Sequence, residues 1–86
     1  KVVDPAADKK EAKHEFGINL VDMEEVREAD CLIFLVAHKQ FKDLQMAEID
    51  ALYNQKSDNN QRVIIDVKSI FEANAFKSKD YIYWNL

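Results

Sequence analysis

Glycine is nearly absent from this chain, with Gly17 the only one in 86 residues. Both glycine-rich phosphate cradles, G-x-G-x-x-G and G-x-x-x-x-G-K-[ST], are thereby excluded, so the chain does not hold a dinucleotide in the usual way. Cysteine is equally scarce: the single thiol, Cys31, rules out an internal disulfide and suits a reducing, cytoplasmic setting. No apolar run approaches the ~20 residues that cross a bilayer, and no signal-peptide pattern opens the chain, so no membrane partner is expected. Positive charge is in the minority, with 12 Lys and Arg against 16 Asp and Glu and a net charge of −4. A nucleic-acid footprint needs Lys and Arg clustered on one face, and none is expected here. An initiator Met is missing too. The chain begins at Lys1-Val2-Val3-Asp4, as if already inside a strand, which reads as a piece cut from something longer.

What is present is a hydrophobic content of 48%, enough for one domain over residues 1–86, near the lower end of what buries an independent core. The stretch that organises the rest is Asp30-Cys31-Leu32-Ile33-Phe34-Leu35-Val36-Ala37-His38, apolar and without alternation. Such a run fits a strand covered on both faces, as in parallel sheets, and is expected in the middle of the sheet. Lys1-Val2-Val3 reads as a short strand closed by Asp4-Pro5. A helix follows, started by Asp4 with Pro5 or by Asp8 with Glu11, turning Ala12 and Phe16 inward and stopping at Gly17. Ile18 to Val21 reads as a second strand, and Asp22 to Glu25 as a capping box opening a short helix with Met23, Val26 and Ala29 on one stripe.

Beyond His38 the apolar phase slips between Phe41-Leu44 and Met46-Ile49-Leu52-Tyr53, which places a turn near 41–44 and a helix from about Gln45 to Asn54. Asn54 to Asn60 is a polar loop. Arg62 to Asp66 reads as the fourth strand, followed by a turn or short helix at Val67 to Phe71. Tyr81 to Leu86 alternates with period two, as an edge strand does, with Ile82, Trp84 and Leu86 facing one way. Strands alternating with helices predict an α/β, three-layer, Rossmann-like parallel sheet of five strands in the order 2-1-3-4-5, with Val2-Val3 beside Cys31 to Val36.

Ligands of open α/β sheets sit beyond the carboxyl ends of the strands, which brings forward His38 and Lys68. His38 can meet a phosphate or a sugar hydroxyl, or simply bond the neighbouring loop. Lys68, with the backbone N–H groups after it, can hold an anionic group, or merely solvate its loop. Cys31 lies at the amino end of its strand with no His nearby in sequence, and reads as a buried structural thiol rather than a nucleophile. His14 has Glu11 and Glu15 around it but no second His at ligand spacing, so no metal site is expected.

Val2-Val3-Asp4-Pro5-Ala6-Ala7-Asp8, Glu15-Phe16-Gly17-Ile18, Ala29-Asp30, Ala37-His38-Lys39-Gln40-Phe41, Ile65-Asp66-Val67-Lys68 and Tyr83-Trp84-Asn85-Leu86 form a succession that spans nearly the whole chain. In that succession it resembles the C-terminal, UDP-binding domain of the UDP-glucose/GDP-mannose dehydrogenase family. The Ala-His-Lys-x-Phe and Asp-x-Lys elements resemble the branch that oxidises UDP-N-acetylhexosamines for surface polysaccharides. The resemblance implies a parent enzyme that uses two NAD molecules to take a sugar C6 alcohol to a carboxylate, through a cysteine-bound thiohemiacetal. An N-terminal domain absent from this chain would bind NAD, and a helical region also absent would carry the catalytic cysteine, which Cys31 does not match. No catalytic residue is therefore expected here, and the piece should be inert alone. The substrate residues carried over are Lys68, His38 and Lys39, and the partners implied are a UDP-sugar, the remainder of the parent chain and a second copy in a homodimer.

The resemblance also implies that a strand and helix ahead of the Asp-Pro segment are missing. That strand would lie between Val2-Val3 and Cys31 to Val36, so the gap should close or be filled by another chain. A different class, a receiver-like signalling or protein-interaction module, shares the 2-1-3-4-5 order. It needs a phospho-acceptor aspartate at the end of the third strand, where this chain has Ala37-His38.

Overall fold

The computed structural model describes residues 1–86. Its first helix, α1 (Lys9–Phe16), starts where Asp8 turns its carboxylate back on the chain: Oδ1 accepts from the N–H groups of Lys10 and Glu11 at 2.8 and 3.0 Å. It stops at Gly17, whose φ of 67° is the left-handed conformation that residues with a Cβ resist, and whose N–H closes on Lys13 O. Of the two starts open in the sequence, Asp8 is the one used. Asp4 instead caps its own turn, Oδ1 accepting from Ala6 N–H at 3.0 Å.

Three parallel strands follow: β1 (Cys31–Phe34), β2 (Val63–Asp66) and β3 (Ile82–Asn85), side by side in that order. Between β1 and β2 run α2 (Lys39–Lys42) and α3 (Met46–Asp50), and α4 (Ala73–Lys77) joins β2 to β3. The phase slip at Leu44 is the break between α2 and α3, with Glu48 Oε1 reaching back to accept from Gln45 N–H at 2.8 Å. The helix expected from Asp22 is shorter than its stripe suggests, a 3-10 turn at Met23–Glu25 held by Asp22 N–H donating to Glu25 Oε2 at 2.7 Å. α4 carried no periodic signal in the sequence. It is five residues long, and Phe76 is its only buried residue.

The sheet is parallel, but it has three strands where five in the order 2-1-3-4-5 were expected. Val2 and Leu20 pair in parallel as an isolated bridge, with Val21 N–H on Val2 O at 3.0 Å, and do not join the main sheet. The reason is local. Lys1-Val2-Val3 is too short for more than one rung, and Asp4-Pro5 ends it with a capped turn and a residue that has no N–H. The strand of Cys31 is consequently an edge, not the middle, and the gap expected beside it is not closed by this chain.

The core lies on one side of the sheet. Leu32, Phe34, Ile64 and Tyr83 pack there against Phe41 of α2, Ile49 of α3, Phe76 of α4 and the buried Tyr53 and Tyr81. Aromatic rings meet edge-on through it, Phe34 with Phe41 at 5.5 Å and with Phe71 at 4.9 Å between centroids. The expected third layer is absent from the other face. α1 has no buried residue, and Phe16, expected inward, is 71% exposed.

Candidate functional site

The carboxyl edge of the sheet is built around Asp66, the last residue of β2 and fully buried. Its Oδ1 accepts from Ile70 N–H at 2.9 Å, and its Oδ2 accepts from Phe71 N–H at 2.9 Å and from Tyr83 O–H at 2.7 Å. Three donors satisfy a carboxylate that burial would otherwise penalise. Burial, then the bond to Asp66, pushes the Tyr83 hydroxyl up to about 12. The turn so closed runs over Val67, Lys68 and Ser69, with Ser69 in the left-handed region at φ 53° and its Oγ accepting from Asn85 Nδ2 at 3.3 Å. Val67 N–H bonds Phe34 O at 3.0 Å, tying this turn to the end of β1. Lys68 therefore rides on a braced turn, exposed, and no carboxylate pairs with it.

His38 and Lys39 lie off the end of the adjacent strand, β1. The His38 carbonyl accepts the N–H groups of Phe41 and Lys42 and so starts α2. Its ring stands edge-on to Phe41, and Nε2 is 3.5 Å from Asp4 Oδ1. That contact joins the turn after Val2-Val3 to the turn after β1. Lys39 is spent locally: Nζ lies 2.7 Å from Asp43 Oδ2 one turn along, and this bond raises its pKa. The three residues proposed from sequence thus share one edge of the sheet, but only Lys68 is a free cation there. No hydrogen bond or ion pair joins it to the other two.

Beside His38 opens a cavity of about 430 Å³ between the Val3-Asp4-Pro5 turn, Asp22-Met23 and the Phe41-Leu44 side of α2. Asp4, Asp22 and Glu24 line it, and the one lysine in its wall, Lys9, is held 2.8 Å from Asp22 Oδ1. An acidic wall of this kind suits hydroxyl-rich or cationic groups and repels a diphosphate.

The sequence reading of Cys31 is corrected: the thiol is exposed, not buried. Being at an edge strand with one bare face removes the cover that a middle strand would have had. Partial desolvation still raises its pKa, and its only partner is Leu32 O at 3.9 Å, so nothing activates it as a nucleophile. No group of three His, Cys, Asp or Glu side chains gathers around a common point.

A second polar cluster escaped the sequence reading. At the opposite, amino end of the sheet, buried Arg62 reaches Tyr81 Oη at 3.4 Å, Ser57 Oγ at 3.3 Å and Asp50 Oδ1 at 3.6 Å. Asp50 also accepts from Tyr81 O–H and from Lys79 at 2.7 Å. Burial alone would raise the Asp50 carboxyl, but the bonds from Lys79 and Tyr81 and the Arg62 charge hold it below the usual range. This cluster brackets α3, β2 and β3 at the end away from the ligand edge and reads as structural. The one sequence signal for it was a charged residue, Asp50, inside the otherwise apolar stretch Ile49 to Tyr53.

Comparison with known proteins completes the picture. The model of the UDP-glucose/GDP-mannose dehydrogenase family, UDP binding domain, matches residues 1–73. Protein CapL of Staphylococcus aureus is 31% identical over 72 residues, which is 84% of this chain and 16% of that protein's length. No solved structure matches. With the braced Asp66-Val67-Lys68 turn, the Asp4-Pro5 turn and the His38 junction all inside the matched span, the chain belongs to the UDP-glucose/GDP-mannose dehydrogenase family, as its UDP-binding domain.

Proposed function

We propose that residues 1–86 are a single, truncated nucleotide-sugar-binding portion of a cytoplasmic, NAD-dependent UDP-sugar 6-dehydrogenase. The complete enzyme would oxidise the C6 alcohol of a UDP-hexose or UDP-N-acetylhexosamine to a uronic acid for surface polysaccharide. Alcohol to carboxylate is two successive two-electron oxidations, with water supplying the second oxygen and NAD, held outside this chain, as the oxidant that would be needed. This chain's own part is to hold substrate. Lys68 sets its charge against the diphosphate, and His38, with Asp4 behind it, offers a hydrogen bond to a sugar hydroxyl. Lys39 lies at the same edge with its charge offset by Asp43, and meets the substrate only by leaving that partner.

NAD does not fit these residues. The turn between β1 and α2 is Leu35-Val36-Ala37-His38, with no glycine to let a pyrophosphate approach the backbone. Hydride transfer is therefore assigned to parts of the parent enzyme outside this chain, and the piece alone is inert.

The observation that carries the reading is the free Lys68 on a turn that Asp66 holds rigid. UDP titrated into 15N-labelled chain, to roughly 10 mM because binding to an incomplete site is weak, should shift amides of 66–71 and 37–41. Lys68→Met should abolish those shifts without changing the far-UV spectrum. Shifts confined to other elements, no shifts at all, or an unaltered response in Lys68→Met would refute the assignment.

A further inference from the structure

The turn that carries Lys68 has more than one cation to offer an anion. The N–H groups after Lys68 are spent inside the protein: Ser69 donates to Asp66 O at 3.2 Å, and Ile70 and Phe71 donate to the Asp66 carboxylate. The N–H of Lys68 itself donates to no protein group. Ser69, exposed and held at φ 53°, supplies a second unspent donor. Its Oγ accepts from Asn85 Nδ2 at 3.3 Å and gives its own proton to nothing.

That leftover proton is decided at the buried end of a short run of hydrogen bonds. Backbone N–H groups cannot reverse, and two of them fix the Asp66 oxygens as acceptors, so Tyr83 donates its O–H to Oδ2. The Tyr83 oxygen can then only accept. Burial and the Asp66 bond raise the Tyr83 hydroxyl, and the Asn85 amide lies against it and opposes that rise, as a donor does. The amide is thereby oriented with its NH2 toward Tyr83 and Ser69, because its oxygen would face an oxygen that only accepts. Ser69 accepts in turn, and a hydroxyl so placed suits a ligand group made of acceptors alone, which a phosphate is. We infer that Ser69 is a further residue of the nucleotide-sugar site, donating its hydroxyl proton to the diphosphate beside the Lys68 charge, with Asn85 the positioning residue that keeps the hydroxyl turned outward. The inference rests on the reading of Lys68 as the cation of the diphosphate. It brings β3 into the site, although Tyr83 and Asn85 lie beyond residues 1–73, the span that the family model matches.

UDP titrated into the 15N-labelled chain tests it, with affinity read from the initial slope of amide shift against UDP, which scales as 1/Kd far below saturation. Ser69→Gly removes the hydroxyl and suits the left-handed backbone, so the far-UV spectrum should be kept. The slope should fall about 5-fold, the ~1 kcal/mol of a typical hydrogen bond. Ser69→Ala should lose as much, which separates the hydroxyl from the added freedom of glycine. Asn85→Leu, at an exposed site, cannot donate and frees the hydroxyl to turn away, so it should lower the slope by roughly 2- to 5-fold. In the Ser69→Gly background the same substitution should add less than ~1.5-fold, because a residue that acts only through Ser69 has nothing left to position. A purely structural Asn85 would show no such coupling. An unchanged slope in Ser69→Gly or Ser69→Ala overturns the role of Ser69. Losses that multiply in the double variant overturn the role of Asn85. In both cases the response of the unsubstituted chain, and its loss in Lys68→Met, would stand. No response at 66–71 in the unsubstituted chain, or one that Lys68→Met leaves unaltered, removes the diphosphate reading itself and this inference with it.

Discussion

Asp66→Asn is the sharpest single perturbation of the ligand edge, because it keeps shape and removes one acceptor. In the folded chain both carboxylate oxygens are in use, Oδ1 on Ile70 N–H and Oδ2 on Phe71 N–H and Tyr83 O–H. An amide places an NH2 where one oxygen was. The Tyr83 hydroxyl can turn and accept from it, but a backbone N–H cannot, so either Ile70 or Phe71 faces a donor. One buried amide left without a partner costs about 1–3 kcal/mol, and loss of the charge on the remaining bonds adds to that, so about 2 kcal/mol is a fair central value. A domain of 86 residues has a margin of about 4–13 kcal/mol, so the variant folds but is visibly weakened. With an m-value of about 1–2 kcal/mol/M for a chain of this size, the urea midpoint followed at 222 nm should fall by about 1–2 M with m unchanged. Tyr83→Phe alone should cost about 1 kcal/mol, and the double substitution should fall short of the sum by at least ~0.5 kcal/mol, since the two share one bond. An Asp66→Asn unfolding free energy within ~0.5 kcal/mol of the unsubstituted chain, or strict additivity, would refute the account of the Lys68 turn.

Other outcomes follow from the same structure. Gly17→Ala meets no steric contact, since nothing lies within 4 Å of an added Cβ, but its φ of 67° is strained for any residue with one. The cost should be about 1–2 kcal/mol, read as a melting temperature lower by roughly 4–16 °C, with Gly17→Asn losing less. Asp50 lies below its usual range, so its stabilisation is present above the unfolded pKa of ~3.9 and is lost as pH falls through the folded value. Asp50→Asn should flatten the acid limb of the stability profile. Tyr81 and Tyr83 run the other way: both are raised to about 12, so the stability they contribute is whole below ~10 and disappears as pH climbs from there to about 12. Phe at both positions should shrink that alkaline transition without abolishing it, because burial raises Tyr53 as well, and should also weaken the acid limb, since Tyr81 is one of the donors that hold Asp50 down.

Local signals in the sequence were read well where one residue decides the outcome. Asp8, one of the two starts the sequence offers, begins α1, Gly17 ends it, and the alternation at Ile82 and Trp84 marks an edge strand, whereas the turn expected near 41–44 is largely α2 and the helix expected from Gln45 to Asn54 stops at Asp50. α4 was illegible because it is five residues long, too short for a helical period. At the candidate site, the Asp66-x-Lys68 spacing was visible, but the reason for it was not. Asp66 works by gathering Tyr83 from 17 residues away, and no pattern within a window of residues encodes that bond.

By itself the sequence determined the parallel α/β character, through short apolar runs separated by helical stretches, and the chemistry of each turn, because both depend on neighbours along the chain. It also determined what cannot be here, since a dinucleotide fingerprint without glycines is impossible whatever the fold. Only the tertiary structure decided that the strand of Cys31 is an edge, that one face of the sheet is bare, and that Arg62, Asp50 and Tyr81 lock its amino end. Whether a strand has a neighbour and whether a face has a cover are set by segments far apart in sequence. An apolar run looks the same when it is buried on both sides as when one side is still waiting for a partner.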